Sequence, residues 1–141
     1  MEVRRVDTDD ELEAALSVRR QVFVEEQGVP EHRELDGRDD TAIHFLALDG
    51  DRVVGAARLR EYDASRAKVE RVAVLPSERG RGLGRDLMDA VEAHAAEEGY
   101  VEMLLHAQVP VVEFYEALDY DVTSDPFEDA GITHREMRKS L

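Results

Sequence analysis

The sequence predicts an α+β fold: a mixed, mostly antiparallel sheet flanked by helices, with one pair of neighbouring strands running parallel. Three observations point to it. Three apolar, β-branched runs between Ile43 and Val74 are joined by short turns, which makes an antiparallel meander. An amphipathic helical stretch follows, with Leu83, Leu87, Met88, Val91 and Ala95 on one face. A further strand-like run, Val101 to Ala107, comes directly after it. A strand, a helical crossover and a second strand place the two strands parallel.

From the N-terminus, Glu2 to Val6 alternates as a short strand. Thr8-Asp9-Asp10-Glu11 reads as a capping box, with Thr8 capping a helix and Glu11 reaching back. Leu12, Leu16 and Phe23 share one face of that helix, and Gly28 and Pro30 end it. Glu31 to Thr41 is polar and reads as a loop with a short helical turn. Ile43 to Leu48 and Arg52 to Arg60 are strands joined by Asp49-Gly50-Asp51, a hairpin signal. Tyr62 to Ala67 is a turn, and Lys68 to Val74 is the third strand of the meander. The amphipathic helix runs from about Gly82 to Glu98 and stops at Gly99. After Val101 to Ala107, Pro110 suits the first turn of a helix reaching Leu118. Tyr120 to Thr123 and Ile132 to Arg138 are the last strands, joined by a loop containing Pro126 and Gly131.

At 141 residues the chain is expected to form one domain spanning 1–141. It has no cysteine, so disulfides and thiol nucleophiles are excluded. No long apolar run marks a membrane span and no signal-peptide pattern opens the chain, so the expectation is a cytoplasmic protein without a membrane partner. The formal net charge is −15, and Lys68 and Lys139 are the only lysines. That balance argues against nucleic acid as a partner, because such binding needs a basic face. The acids are spread along the chain, which reads as a solvated surface suited to high salt. In this the composition looks like that of proteins from salt-loving archaea.

Between the third strand and the amphipathic helix lies Arg79-Gly80-Arg81-Gly82-Leu83-Gly84-Arg85. Glycines at such a turn allow the backbone to approach a ligand closely. The first N–H groups of a helix lack intrahelical partners and carry partial positive charge, so the turn is suited to phosphate. It is not a Walker loop, because Arg85-Asp86 stands where Lys-Ser/Thr is needed. It is not a dinucleotide fingerprint, because Gly80, Gly82 and Gly84 do not give GxGxxG spacing.

Arg79, Gly82 and Gly84, after Arg71-Val72-Ala73-Val74-Leu75-Pro76, resemble the acetyl-CoA motif of the GNAT family of N-acetyltransferases, whose fold matches the predicted elements over nearly the whole chain. The resemblance implies an acetyltransferase using acetyl-CoA as co-substrate, with a primary amine as acceptor and a homodimer as a common assembly. It implies that Arg79, Gly80, Arg81, Gly82, Leu83, Gly84 and Arg85 hold the diphosphate. Val72, Ala73 and Val74 would face the pantetheine arm, in a gap where two parallel strands splay apart. An N–H group of Val72 or Val74 would stabilise the oxyanion.

Phe114-Tyr115 resembles the family's Phe-Tyr-x-x-x-Gly-Phe/Tyr segment. That implies Tyr115 as the acid protonating the leaving thiolate, with a core aromatic as its bland alternative. Asp119 stands where the family usually has Gly, and Gln108 and Val111 where it often has Asn and Ala. Gln108 can still donate a hydrogen bond to the cofactor arm.

Val22 to Pro30, Glu34-Leu35-Asp36, His44-Phe45-Leu46, His106-Ala107-Gln108 and Phe127 to His134 resemble the ElaA-type branch of the family. By that resemblance Glu25, Glu26, Gln27, His44, Glu128 and His134 border the acceptor. Each carboxylate has a solvated surface acid as its alternative, and His44 a structural hydrogen bond. A His or Glu, directly or through water, could take the amine proton, with Glu70 on the central strand another candidate. A non-catalytic acyl-CoA-binding module remains the alternative function. The five histidines show no HxH or HxxxH spacing, so no metal is expected.

Overall fold

β1 (Glu2–Arg5) lies at the edge of an eight-stranded sheet in a computed structural model that describes all residues, Met1 to Leu141. The Thr8 hydroxyl then caps α1 (Asp9–Arg19), accepting from the Glu11 N–H at 3.2 Å. Glu11 does reach back, but it accepts from the Asp7 N–H at 2.8 Å, one residue before the cap. From Arg20 to Glu26 the helix widens into π-helical turns, a feature that concentrates at functional sites. The fully buried side chains of this helix are Ala15, Val18, Arg19 and Val22, while Leu12, Leu16 and Phe23 are only half-buried. The predicted stripe is therefore displaced toward a charged residue, for a reason that lies in the next segment. There, α2 (Glu31–Glu34) supplies buried Glu34 and a 3₁₀ turn at Asp39–Thr41 the half-buried Asp39.

β2 (Ile43–Asp49), β3 (Arg52–Glu61) and β4 (Arg66–Val74) form the expected antiparallel meander. Gly50, at φ +61°, turns the first hairpin. α3 (Leu83–Glu97) packs on the sheet through Leu83, Leu87, Met88, Val91 and Ala95, all buried as the periodicity predicts. Burying each of the larger of these side chains contributes about 1.5–3 kcal/mol. Gly99, at φ +91°, ends the helix, with its N–H donating to Ala96 O and that of Tyr100 to Ala95 O, both at 3.1 Å.

β5 (Glu102–Gln108) runs parallel to β4 only at the pairs Arg66↔Glu102, Ala67↔Met103 and Lys68↔Leu104. Beyond them the strands part. β8 (Ile132–Ser140) holds the other edge of β5 along its whole length, so the gap opens on the β4 side alone. Pro110 sits in a 3₁₀ turn, and α4 (Val112–Glu116) follows it, shorter than the helix expected. Asp119 adopts φ +74°, the left-handed conformation that glycine supplies in the related motif.

β6 (Asp121–Val122) and β7 (Phe127–Asp129) both pair with β8. β7 falls in a stretch expected to be loop. It is short, and its hairpin turn has Ala130 at φ +52° and Gly131 at φ +75°. Such a turn is normally announced by Asn or Asp before the glycine, and here alanine stands there.

Candidate active site

The gap between β4 and β5 exposes main chain. The Leu75 N–H donates to Val54 O on β3 at 2.9 Å. Alternation along the strand then turns the Val74 and Val72 N–H groups the other way, toward the gap. The Ala73 N–H faces β3, so Ala73 lends the gap its wall and no donor. The register between β3 and β4 shifts between Ala56 and Arg58, where Arg71 sits at φ +57°. This bulge inserts one residue and re-aims the strand just before Val72. A cavity of about 640 Å³ fills the gap, with Val72, Val74, Leu105, Ala107 and Tyr115 in its walls.

At one end of the cavity is the basic turn. Gly80 (φ +82°) and Gly82 (φ +80°) take left-handed backbone, and Gly82 starts α3 without a side-chain cap. Gly84 differs from them, since a Cβ there would stand 3.2 Å from the Phe114 ring, a tight contact. Its missing Cβ makes room for that ring, and Gly84 also borders the cavity. Leu83 is buried in the core, so only its main chain can reach the cavity. Arg79 donates to Val74 O at 3.0 Å and bidentately to Glu26 at 2.6 and 2.7 Å. Arg81 pairs with Glu78 and with Asp49 at 3.2 Å, and Arg85 is exposed. Gly82→Ala is expected to cost about 1–2 kcal/mol by forcing a Cβ into left-handed backbone. Urea denaturation of the variant measures it.

Several residues expected around the acceptor lie elsewhere. Glu26 is committed to Arg79, and Glu25 and Glu26 border a shallow surface depression with Ser17, Gln21 and Pro76, outside the cavity. Glu128 is exposed on β7 and does not line the cavity. His44 is buried and outside the cavity lining, with Nε2 2.9 Å from the Asp39 carbonyl. Gln27 and His134 do line the cavity. Gln108 Nε2 donates to Gln27 Oε1 at 2.8 Å, tying the end of β5 to the π-helical segment. His134 Nδ1 lies 2.7 Å from the Ile132 carbonyl, which leaves Nε2 as the acceptor nitrogen.

Glu70 is in the cavity wall but is badly placed as a base. It accepts from Arg58 at 3.0 Å and from Arg60, and Lys68 stands 3.5 Å away. Burial opposes its charge, but the Arg60 hydrogen bond and the three cations outweigh burial and lower its pKa to about 2. A carboxylate so stabilised takes a proton poorly at neutral pH. Tyr115 is buried, edge-to-face with Phe114 at 4.9 Å and with Tyr120 at 5.9 Å between ring centroids. Burial raises its pKa, so it keeps its proton throughout the physiological range.

The sequence reading missed a largely buried ionic network that reaches the cavity wall at Glu34, Glu70 and Arg71. Arg58 is 0 % and Arg19 1 % exposed. Arg58 donates to Asp36 at 2.8 Å through both terminal nitrogens and to Asp39 at 3.1 Å. Arg19 binds Glu34 at 2.8 Å and Asp39 at 2.7 Å, and Arg71 reaches Glu34 at 2.9 Å. Burial disfavours the Asp36 carboxylate, yet the Arg58 hydrogen bond holds its pKa below the usual range. The polar stretch around α2 is thus anchored on α1, β3 and β4. No local spacing announces this, since the partners are far apart in sequence. No three His, Cys, Asp or Glu side chains gather as a metal ion would need. No helix is long and apolar enough to cross a membrane.

Known proteins resemble this chain in sequence and in fold. Residues 8–141 match the model of the acetyltransferase (GNAT) domain. The chain is 41 % identical over 132 residues to the uncharacterized N-acetyltransferase YjcF of Bacillus subtilis, covering 93 % of this chain and 94 % of that protein. A putative N-acetyltransferase from Lactobacillus plantarum superposes with a TM-score of 0.92 at 29 % identity, over 99 % of this chain and 97 % of the other. Escherichia coli ElaA gives 0.85 at 26 % identity, over 98 % of both. An aminoglycoside 6'-N-acetyltransferase complexed with coenzyme A shares the fold at 18 % identity, with a TM-score of 0.79 over 99 % of this chain and 97 % of that one. These named relatives are bacterial, so the composition's likeness to salt-loving archaea finds no support in them.

Proposed function

The chain belongs to the GNAT acetyltransferase family, and from that premise we propose that it passes the acetyl group of acetyl-CoA directly to a primary amine held in the same cleft. The observation that carries this reading is the gap itself. Two strands part after Lys68 and Leu104, and the gap leads from the glycine-rich turn to buried Tyr115. An extended, amide-rich pantetheine arm satisfies such an open strand edge by adding main-chain hydrogen bonds.

The diphosphate rests on the N–H groups from Gly80 to Gly84 at the start of α3, with Arg79, Arg81 and Arg85 adding charge. The Val72 and Val74 N–H groups hold the arm, and Gln108 is the side-chain donor beside it. The amine lone pair attacks the thioester carbonyl, forming the C–N bond. Main-chain donors of β4 hold the oxyanion. As the C–S bond breaks, Tyr115 gives its proton to the leaving sulfur and regains one from solvent before the next turnover. No side chain serves as a covalent carrier. Gln27 and His134 are the acceptor-side contacts that remain once Glu25, Glu26, His44 and Glu128 are placed outside the cavity.

A thermal-shift series tests the cofactor half. Acetyl-CoA at a hundred times its Kd is expected to stabilise the protein by about 2.7 kcal/mol, with ATP inert at equal concentration. An acetyl-CoA assay over a panel of amines tests the transfer half. Tight cofactor binding with no acetylated amine would reduce the protein to an acyl-CoA-binding module.

A further inference from the structure

Given the acetyl-transfer reading, the reaction still lacks its base, since Glu70 is held as a stable carboxylate. The open face of the sheet offers another group. His106 lies two residues past Leu104, the last residue of β5 in register with β4, and so stands where the gap opens. It lines the cavity. Its ring meets Phe127 edge-on at 5.0 Å between centroids, and His106 and Glu136 are register partners on β5 and β8. The Nε2 atom is 3.4 Å from Glu136 Oε1. An Nε2–H directed at Glu136 leaves the lone pair on Nδ1.

We propose that His106, oriented by Glu136, is the base that takes the proton from the attacking amine. The amine nitrogen forms its bond to the acetyl carbon and loses one proton to the ring. The ring becomes an imidazolium beside a carboxylate, which stabilises it, and later returns the proton to solvent. Glu136 is a positioning residue in this scheme. His134 shares the wall but pairs with Gln108, one step farther out, and its ring nitrogen is held by a main-chain carbonyl. A carbonyl stabilises an imidazolium less than a carboxylate does.

The charged groups facing His106 set the sign of the test. From β4 come Lys68 and Glu70, and from β8 Glu136. Burial lowers the pKa of His106 first, Lys68 lowers it further, and Glu136 and Glu70 act in the opposite sense. The ring is therefore neutral and able to accept a proton at pH 7. In the wild-type enzyme kcat/KM is expected to fall on the acid side with a midpoint below the ordinary histidine value.

The experiment measures acetyl transfer to an alkylamine panel across pH with the full chain. His106→Gln is expected to lose about a hundredfold or more in kcat and to lose the acid limb, with KM for acetyl-CoA unchanged. Glu136→Gln, which removes a raising charge, shifts the limb to lower pH. Lys68→Met, which removes a lowering charge, shifts it to higher pH. An NMR titration of the His106 ring in the coenzyme A complex should show the same two opposite shifts without turnover. A His106→Gln enzyme that keeps its rate and its acid limb overturns the base role alone, as does a ring that titrates at or above the ordinary value. Wild-type protein that acetylates no amine sinks the transfer reading and the base with it.

Discussion

Tyr115→Phe is expected to lower kcat for acetyl transfer by about a hundredfold or more, the usual contribution of a positioned proton donor. Acetyl-CoA affinity should stay within about twofold, because the substitution leaves the rest of the site alone. The ring is buried against Phe114 and Tyr120, and phenylalanine keeps those edge-to-face contacts. The main-chain donors of Val72 and Val74 and the glycine turn are untouched. Only the hydroxyl is lost, and with it the proton proposed for the departing thiolate. Burial raises the pKa of Tyr115, so the wild-type enzyme should not lose this acid as the pH climbs to the ordinary tyrosine value of 10.0. Steady-state kinetics with a parallel binding titration decides. Wild-type turnover in the variant would make Tyr115 a packing residue and nothing more.

Arg58→Met is expected to destabilise the fold by about 3–5 kcal/mol, because it takes a fully buried cation away from three partly buried carboxylates. Asp36 loses its bidentate partner, while Asp39 and Glu70 lose one partner each. The pH dependence provides a second readout. Glu70 is depressed from 4.5 to about 2, so its contribution is fully present above its unfolded pKa and disappears as pH falls through about 2. Asp36 and Asp39 are depressed too, and act in the same direction. Wild-type stability should therefore fall on acidification from about pH 4.5 downward, and the fall should flatten in Arg58→Met. Urea denaturation from about pH 7 to about pH 3 measures both effects. A loss under about 1 kcal/mol would show that the remaining arginines suffice. The same variant should weaken acceptor use more than cofactor binding, since the network anchors the α2 segment and the β4 bulge, not the glycine turn.

Elements set by neighbouring residues could be read directly. The buried face of α3, the Thr8 cap, the Asp49-Gly50-Asp51 hairpin and the stop at Gly99 each depend on a few adjacent side chains. The crossover from β4 through α3 to β5 follows from the order of elements, and with it the parallel pair. Other elements misled. A helical wheel of about 3.6 residues per turn misplaces residues past Arg20, where α1 widens. Glu25 and Glu26, expected at the acceptor by resemblance alone, fall outside the cavity, and Glu26 meets Arg79. β7 escaped notice because Ala130 takes a conformation that alanine rarely advertises.

By itself, then, the order of residues determined the layered α+β architecture, the glycine turn before α3 and the tyrosine after β5, because local periodicity and turn chemistry suffice for each. Which ionisable groups are free to react was decided only in three dimensions. Glu70 is held by Arg58, Arg60 and Lys68, His44 meets the Asp39 carbonyl, and His106 lines the gap with its pKa lowered chiefly by burial. Proton affinity depends on burial and on charges a few ångströms away, and those neighbours come from strands and helices distant along the chain.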